Sequence, residues 1–192
     1  MKRLEKGFTV VEIFSVVAIV GFVMAISIPQ GLAYLSSYKL RAGAQQVATA
    51  LQFTRAKAVS ENFQCTFSNF LSSGVQKFQI TGGEDDHDDG LNPWEDRNGN
   101  GVEDTITFIP QELPRGIKVL STLSGISAVP VTGNPTSSTT SLVFTPLGVP
   151  KLTTTAAAIY LQNEKKEKMA ITVDLTGRVQ SWKQSGTAWV AI

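Results

Sequence analysis

From Phe8 to Ile28 the sequence runs through 21 residues that include thirteen Phe, Val and Ile and one ionisable side chain, Glu12. At about 1.5 Å per helical residue such a run spans roughly 30 Å, the thickness of a bilayer's hydrocarbon core. The acid does not prevent insertion. Each Phe, Val or Ile contributes about −0.3 to −0.6 kcal/mol near a helix centre, against roughly +2.5 to +3.5 kcal/mol for one buried acid. Lys2, Arg3 and Lys6 precede the run, and basic residues flanking a first span stay cytoplasmic. The expectation is a single membrane-crossing helix over 8–28, with the amino terminus in the cytoplasm and the remaining chain outside it.

A secretory signal would be cut after its apolar run, behind small residues in an A-x-A-like pattern. Here the run ends in Ser27-Ile28-Pro29-Gln30, which does not fit. The better cleavage point precedes the run, between Gly7 and Phe8, where glycine offers a peptidase an unhindered backbone. A cut there leaves Phe8 as a new amino terminus. Positions 8 and 12 share one helix face, so the new ammonium and the Glu12 carboxylate are complementary charges at a depth where each needs a partner.

Lys6-Gly7-Phe8-Thr9-Val10-Val11-Glu12-Ile13 resembles the processing motif of type IV prepilins and pseudopilins. The resemblance implies cleavage after Gly7 by a prepilin peptidase and N-methylation of Phe8. It also implies that Glu12, fifth in the mature chain, pairs with the amine of a neighbouring subunit during assembly. Pro29 matches the position where the family's long helix is bent, and on its own marks a kink at the end of the span.

The 192 residues leave room for one modest extracytoplasmic domain after the leader, 1–7, and the span, 8–28. A net charge of +1 makes no general case for nucleic-acid binding. Cys65 is the only cysteine, so no intrachain disulfide is available, and it reads as a small buried apolar residue.

Beyond Pro29, Leu40, Ala44, Val47, Leu51, Thr54 and Ala58 follow one another at alternating spacings of four and three, forming one face of a helix. Gln45, Gln46, Gln52, Arg55 and Lys57 occupy other faces. This amphipathic continuation is expected over 29–62, packed on its own domain. Its wording from Ala44 to Val59 is similar to the corresponding helix of the GspH/FimT family, where an Arg-x-x-Ala core is frequent.

From about Gln64 the pattern becomes β-rich: Cys65–Phe70, Val75–Ile80, Thr105–Ile109, Ile117–Leu120 and Leu142–Thr145. Met169–Asp174 and Arg178–Trp182 flank Leu175-Thr176-Gly177 and read as a hairpin. The Ser/Thr/Gly/Pro-rich stretch from Ser121 to Ser141 has the composition of an exposed loop. The fold class expected is α+β, a long N-terminal helix on an antiparallel β domain over 63–192, and the resemblance names it the type IV pilin fold.

Phe144-Thr145-Pro146-Leu147-Gly148, followed by Gly177-Arg178-Val179, resembles the tail of GspH/FimT-type minor pilins and pseudopilins. Relatives that take part in DNA uptake carry a second basic residue two positions after that arginine. Gln180 stands there, which argues against nucleic acid as a partner. On its own the Gly177-Arg178 pair reads as a hairpin turn with an exposed basic residue.

An acidic stretch, Glu84 to Asp89, precedes Asp96-Arg97-Asn98-Gly99-Asn100-Gly101-Val102-Glu103-Asp104. Asp96, Asn98, Asn100 and Asp104 stand at positions 1, 3, 5 and 9 of a calcium-type loop, with Gly101 at the sharp turn. Position 12 is Thr107 rather than a bidentate acid, so an EF-hand is excluded. Calcium and a plain tight turn built on Asn-Gly pairs both fit. His87, the one histidine, lies in the acidic run, where a solvated role is the ordinary one.

With His87 the sole candidate base and no phosphate loop or Cys/His cluster, the chain does not read as an enzyme. The resemblance implies a minor pseudopilin of type II secretion or a minor pilin. Its partners would be other pilin or pseudopilin subunits, the prepilin peptidase, an inner-membrane assembly platform and membrane lipid. A major filament-forming pilin and a membrane-anchored periplasmic binding module are the alternatives.

Overall fold

The computed structural model of the chain describes residues 9–82, 111–123, 127–152 and 154–192, with the side chains of 29–33 excepted. One helix, α1, runs from Val10 to Glu61. Its 52 residues extend about 78 Å. Thr9 caps its start in an extended conformation, its Oγ1 accepting from the Glu12 N–H at 3.2 Å. Asn62 ends it at φ 56°, a left-handed conformation that asparagine tolerates. Within the expected segments 8–28 and 29–62, residues 10–61 belong to one element, and the helix continues unbroken through Pro29.

The two halves of α1 meet different surroundings. Val10–Ile28 is apolar and long enough to cross a membrane, and none of it is buried against the domain. Farther on, Leu40, Ala44, Val47, Leu51, Thr54 and Ala58 are all buried, the face that their spacing predicts. Burying one such leucine is worth roughly 1.5–3 kcal/mol, so this stripe fixes the helix to the domain. Thr54 is satisfied locally, its hydroxyl donating to the Ala50 carbonyl at 2.7 Å.

Among the described residues nine strands follow: β1 Cys65–Ser72, β2 Val75–Gly82, β3 Gln111–Glu112, β4 Lys118–Leu120, β5 Ser141–Phe144, β6 Ala156–Gln162, β7 Lys168–Asp174, β8 Val179–Ser185 and β9 Ala188–Ala191. They form a four-stranded sheet, β3-β2-β1-β5, and a five-stranded sheet, β4-β6-β7-β8-β9. Every strand pairing is antiparallel. The α+β class is therefore observed, with the β domain divided between two sheets that both contribute to one core against α1. The strand expected at Thr105–Ile109 lies outside the described residues.

β6 escapes a search for alternation because Ala156–Leu161 is buried on both faces. Ala157, Ile159 and Leu161 face the helix side of the core, whereas Ala158 and Tyr160 join a second cluster with Val129, Ala170 and Trp189. That second cluster refines the expectation of an exposed loop over Ser121–Ser141: most of its described residues are exposed, but a few turn inward. Its described residues, 121–123 and 127–141, run over the outer face of the five-stranded sheet. Val129 is fully buried, the Thr139 N–H donates to the Ala158 carbonyl at 2.7 Å, and Trp189 Nε1 donates to the Ser127 carbonyl at 2.8 Å. Its composition is polar because most of its described side chains face solvent.

The β6–β7 hairpin lies lengthwise along α1. Ser37 touches Glu167 near the hairpin tip, and Arg55 touches Thr176 and Gly177 at the opposite end. Eighteen helical residues cover about 27 Å, and nine extended residues about 30 Å, so the two elements keep pace.

Candidate functional site

Glu12, Ser37 and Arg55 are three polar positions spaced along α1. Glu12 is exposed in the first turn, where the helix dipole favours an anion. Among the described residues none pairs with its carboxylate. Gly7 and Phe8, the expected cleavage positions, lie outside the described residues, as do Asp96, Asn98, Asn100, Asp104 and His87. Pro29 has a helical backbone within α1.

Ser37 Oγ donates to Glu167 Oε2 at 2.7 Å, and Asn163 Nδ2 donates to the same oxygen at 2.6 Å. The Glu167 N–H returns a bond to Asn163 Oδ1 at 2.9 Å. The Ser37 hydroxyl chiefly holds the Glu167 carboxyl below its ordinary value, with Asn163 and the charges of Lys183 and Lys165 assisting against partial burial. This contact joins the tip of the β6–β7 hairpin to the part of α1 that emerges from the apolar run.

Arg55 holds the opposite end. Its Nε donates to the Gly148 carbonyl at 2.9 Å, Nη1 to the Gly177 carbonyl at 3.0 Å and Nη2 to the Thr176 carbonyl at 3.2 Å. One planar guanidinium therefore ties two loops to the helix, a geometry that a lysine ammonium cannot reproduce. Arg55 lies off the buried stripe, as its spacing predicts, and that face of the helix meets the two loops.

Each loop is shaped to present its carbonyls. In the β7–β8 turn, Asp174 Oδ1 accepts from the Thr176 N–H at 2.8 Å, the Thr176 hydroxyl at 2.6 Å and the Arg178 N–H at 3.0 Å. Burial pushes the Asp174 carboxyl up, but these bonds and the Arg178 charge outweigh it and bring the group below its ordinary value. After β5, the Gly148 N–H donates to the Thr145 carbonyl at 2.8 Å, closing a second turn. Gly148 and Gly177 have φ of +72° and +76°. A Cβ on Gly177 would lie 2.4 Å from the Gly148 carbonyl oxygen, and one on Gly148 would lie 2.9 Å from Val59 Cγ2. Both positions require glycine for conformation and for space. Arg178 itself is exposed, in keeping with a turn rather than a binding groove.

Cys65 is fully buried at the start of β1, and burial pushes its thiol up to about 11 against the lowering influence of Lys57. It is a packing residue. Among the described residues no group of three or more His, Cys, Asp or Glu is arranged to hold a metal.

A single helix that begins apolar and exposed, turns amphipathic and then anchors two antiparallel sheets defines a pilin-like subunit. Within that class the chain belongs to the GspH family, described as type II transport protein GspH, whose model matches residues 43–177. The matched stretch contains Arg55, Gly148 and Gly177. Among solved structures, the chain is similar to the type IV minor pilin FimU of Pseudomonas aeruginosa. Identity is 13%, the TM-score is 0.48, and the match covers 82% of this chain and 96% of that one. No curated protein matches the chain.

Proposed function

We propose that the chain is a minor subunit of a filament, the pseudopilus of a type II secretion system or a type IV pilus. In this reading it waits in the inner membrane with its domain in the periplasm. One observation carries the proposal: Glu12 stands exposed on an otherwise apolar helix that continues into the core of the domain. A carboxylate within hydrocarbon needs a counter-charge. Cleavage between Gly7 and Phe8 by a prepilin peptidase, followed by N-methylation, supplies an amine on each neighbouring copy. Pairing of Glu12 with such an amine draws subunits from the membrane into a filament on the assembly platform, with the helix bent at Pro29. Family membership supports this reading over a stand-alone binding module.

Mass spectrometry of the amino terminus is expected to find methylated Phe8 as the first residue. An uncut chain would instead support a membrane-anchored module. Glu12→Ala is expected to insert normally yet lose incorporation into pilus or pseudopilus complexes, and unchanged incorporation would remove the pairing argument. Calcium at Asp96, Asn98, Asn100 and Asp104 belongs to the same proposal, supported by their spacing. A thermal upshift with calcium that chelator and Asp96→Ala both abolish is the expected result.

A further inference from the structure

The tip of the β6–β7 hairpin points along α1 toward the apolar segment, since Glu167 meets Ser37 whereas the hairpin's other end meets Arg55. Beside this tip a groove of about 490 Å³ lies between α1 and the strands β7 and β8, with Tyr34, Tyr38, Arg41, Lys168 and Lys183 on its walls. Lys165 and Lys166 stand exposed on the tip itself. Five cations thus gather around two carboxylates, Glu164 and Glu167, and the second of these is already hydrogen-bonded by Ser37 and Asn163. The chain as a whole carries a net charge of only +1, so the gathering is local.

Its position relative to the apolar run gives it a partner. Tyr34 is six residues beyond Ile28, about 9 Å along the helix. The headgroup layer occupies roughly 5–8 Å on each side of the hydrocarbon core. Tyr34 and Tyr38 are 75% and 60% exposed on adjacent turns, so Tyr34 stands at the outer edge of that layer, where aromatic residues collect, and Tyr38 one turn farther out. Helical side chains lean toward the amino terminus, which carries Arg41 back toward the same boundary. The lysines on the hairpin tip fall within about one screening length, roughly 8 Å, of that layer.

We propose that this end of the domain docks on anionic phospholipid headgroups, Tyr34 meeting the outer edge of the headgroup layer and Arg41, Lys165, Lys166, Lys168 and Lys183 facing the phosphates across about one screening length, roughly 8 Å. The contact holds the domain against the bilayer before assembly, with the polar tip rather than the core surface toward lipid. It rests on the reading of 8–28 as membrane-embedded. A acidic surface of a second protein copy is the competing occupant, and the test separates the two.

The full chain carrying a donor dye on Ser185→Cys is placed one copy per nanodisc containing acceptor-labelled lipid; Ser185 is exposed at the same end of β8, and buried Cys65 stays unlabelled. Changing neutral phosphatidylcholine discs to discs with about 30% phosphatidylglycerol is expected to raise energy transfer about 1.5-fold or more. High salt and the combined Lys165→Glu, Lys166→Glu and Lys168→Glu variant are each expected to abolish the rise. Equal transfer in neutral and anionic discs overturns the proposal, as does a rise that follows copy number per disc rather than lipid charge. Failure of the chain to enter discs at all would instead overturn the membrane-embedded reading.

Discussion

Arg55 Nη1 lies 3.0 Å from the carbonyl oxygen of Gly177, across 122 residues of sequence. The same guanidinium reaches Gly148 and Thr176, so the carboxyl end of the long helix is locked to two loops by one side chain. This gives physical content to the pairing of an Arg-x-x-Ala helix with two distant glycine turns. The arginine needs carbonyls at fork spacing, and the glycines let two backbones approach closely enough to provide them.

Arg55→Ala leaves three carbonyls without their donor, and hydrogen bonds to a charged group contribute about 1.5–3 kcal/mol each before the part exposure of this site is discounted. The expected loss is about 2 kcal/mol in denaturant unfolding of the full chain in detergent. Arg55→Lys is expected to recover less than half of it, because the ammonium cannot span three acceptors.

Gly177→Ala and Gly186→Ala form a controlled pair. Both glycines have positive φ, +76° and +63°, but a Cβ at Gly186 meets nothing within 4 Å. Gly186→Ala is expected to cost about 1–2 kcal/mol for conformation alone. Gly177→Ala is expected to cost roughly 1–3 kcal/mol more, because the methyl must push the Gly148 carbonyl aside. Equal midpoints for the two variants would show that the loops separate freely.

Acid sensitivity follows from Asp174 and Glu167. Both carboxyls are held below their ordinary values of 3.8 and 4.5 in the folded chain. A depressed folded value stabilises above the unfolded value, and the contribution is lost as pH falls through the folded one. Thermal midpoints of the wild type should therefore drop as pH goes below 4.5 and continue dropping below 3.8. Asp174→Asn should be less stable at neutral pH and show a shallower acid slope. A parallel slope in the variant would remove Asp174 as the cause.

Cys65 is fully buried with its thiol pushed up to about 11. Thiolate is the reacting species, so the native chain at neutral pH should resist maleimide while the denatured chain reacts at once. Rapid native labelling would mean that the start of β1 opens easily.

The local patterns proved readable where one period sets one environment. Leu40 to Ala58 at spacings of three and four define a single helical stripe, and all six positions are buried. Val75–Gly82 is likewise visible through its alternation, and the β7–β8 hairpin through the glycine turn that joins its strands, although β7 is itself buried on both faces. β6 was hidden because burial on both faces removes alternation. The cover formed by 121–123 and 127–139 is hidden because a few inward residues among many exposed ones leave no period to read. Its polar composition reflects the exposed majority, and it does not tell where Val129 or the Thr139 N–H turns toward the sheet.

By sequence alone, this chain is determined to carry an apolar run with a solitary acid, an amphipathic continuation and a β-rich remainder, because these are properties of neighbouring residues. Only the tertiary structure decides that Arg55 is a clamp, that Ser37 meets Glu167, and that five basic side chains collect at the end of the domain nearest the apolar run. Those relationships join residues more than 90 positions apart in the case of Arg55 and 130 apart in the case of Ser37. Their energies come from orientation and close approach, which the chain acquires only when its two sheets have closed on the helix.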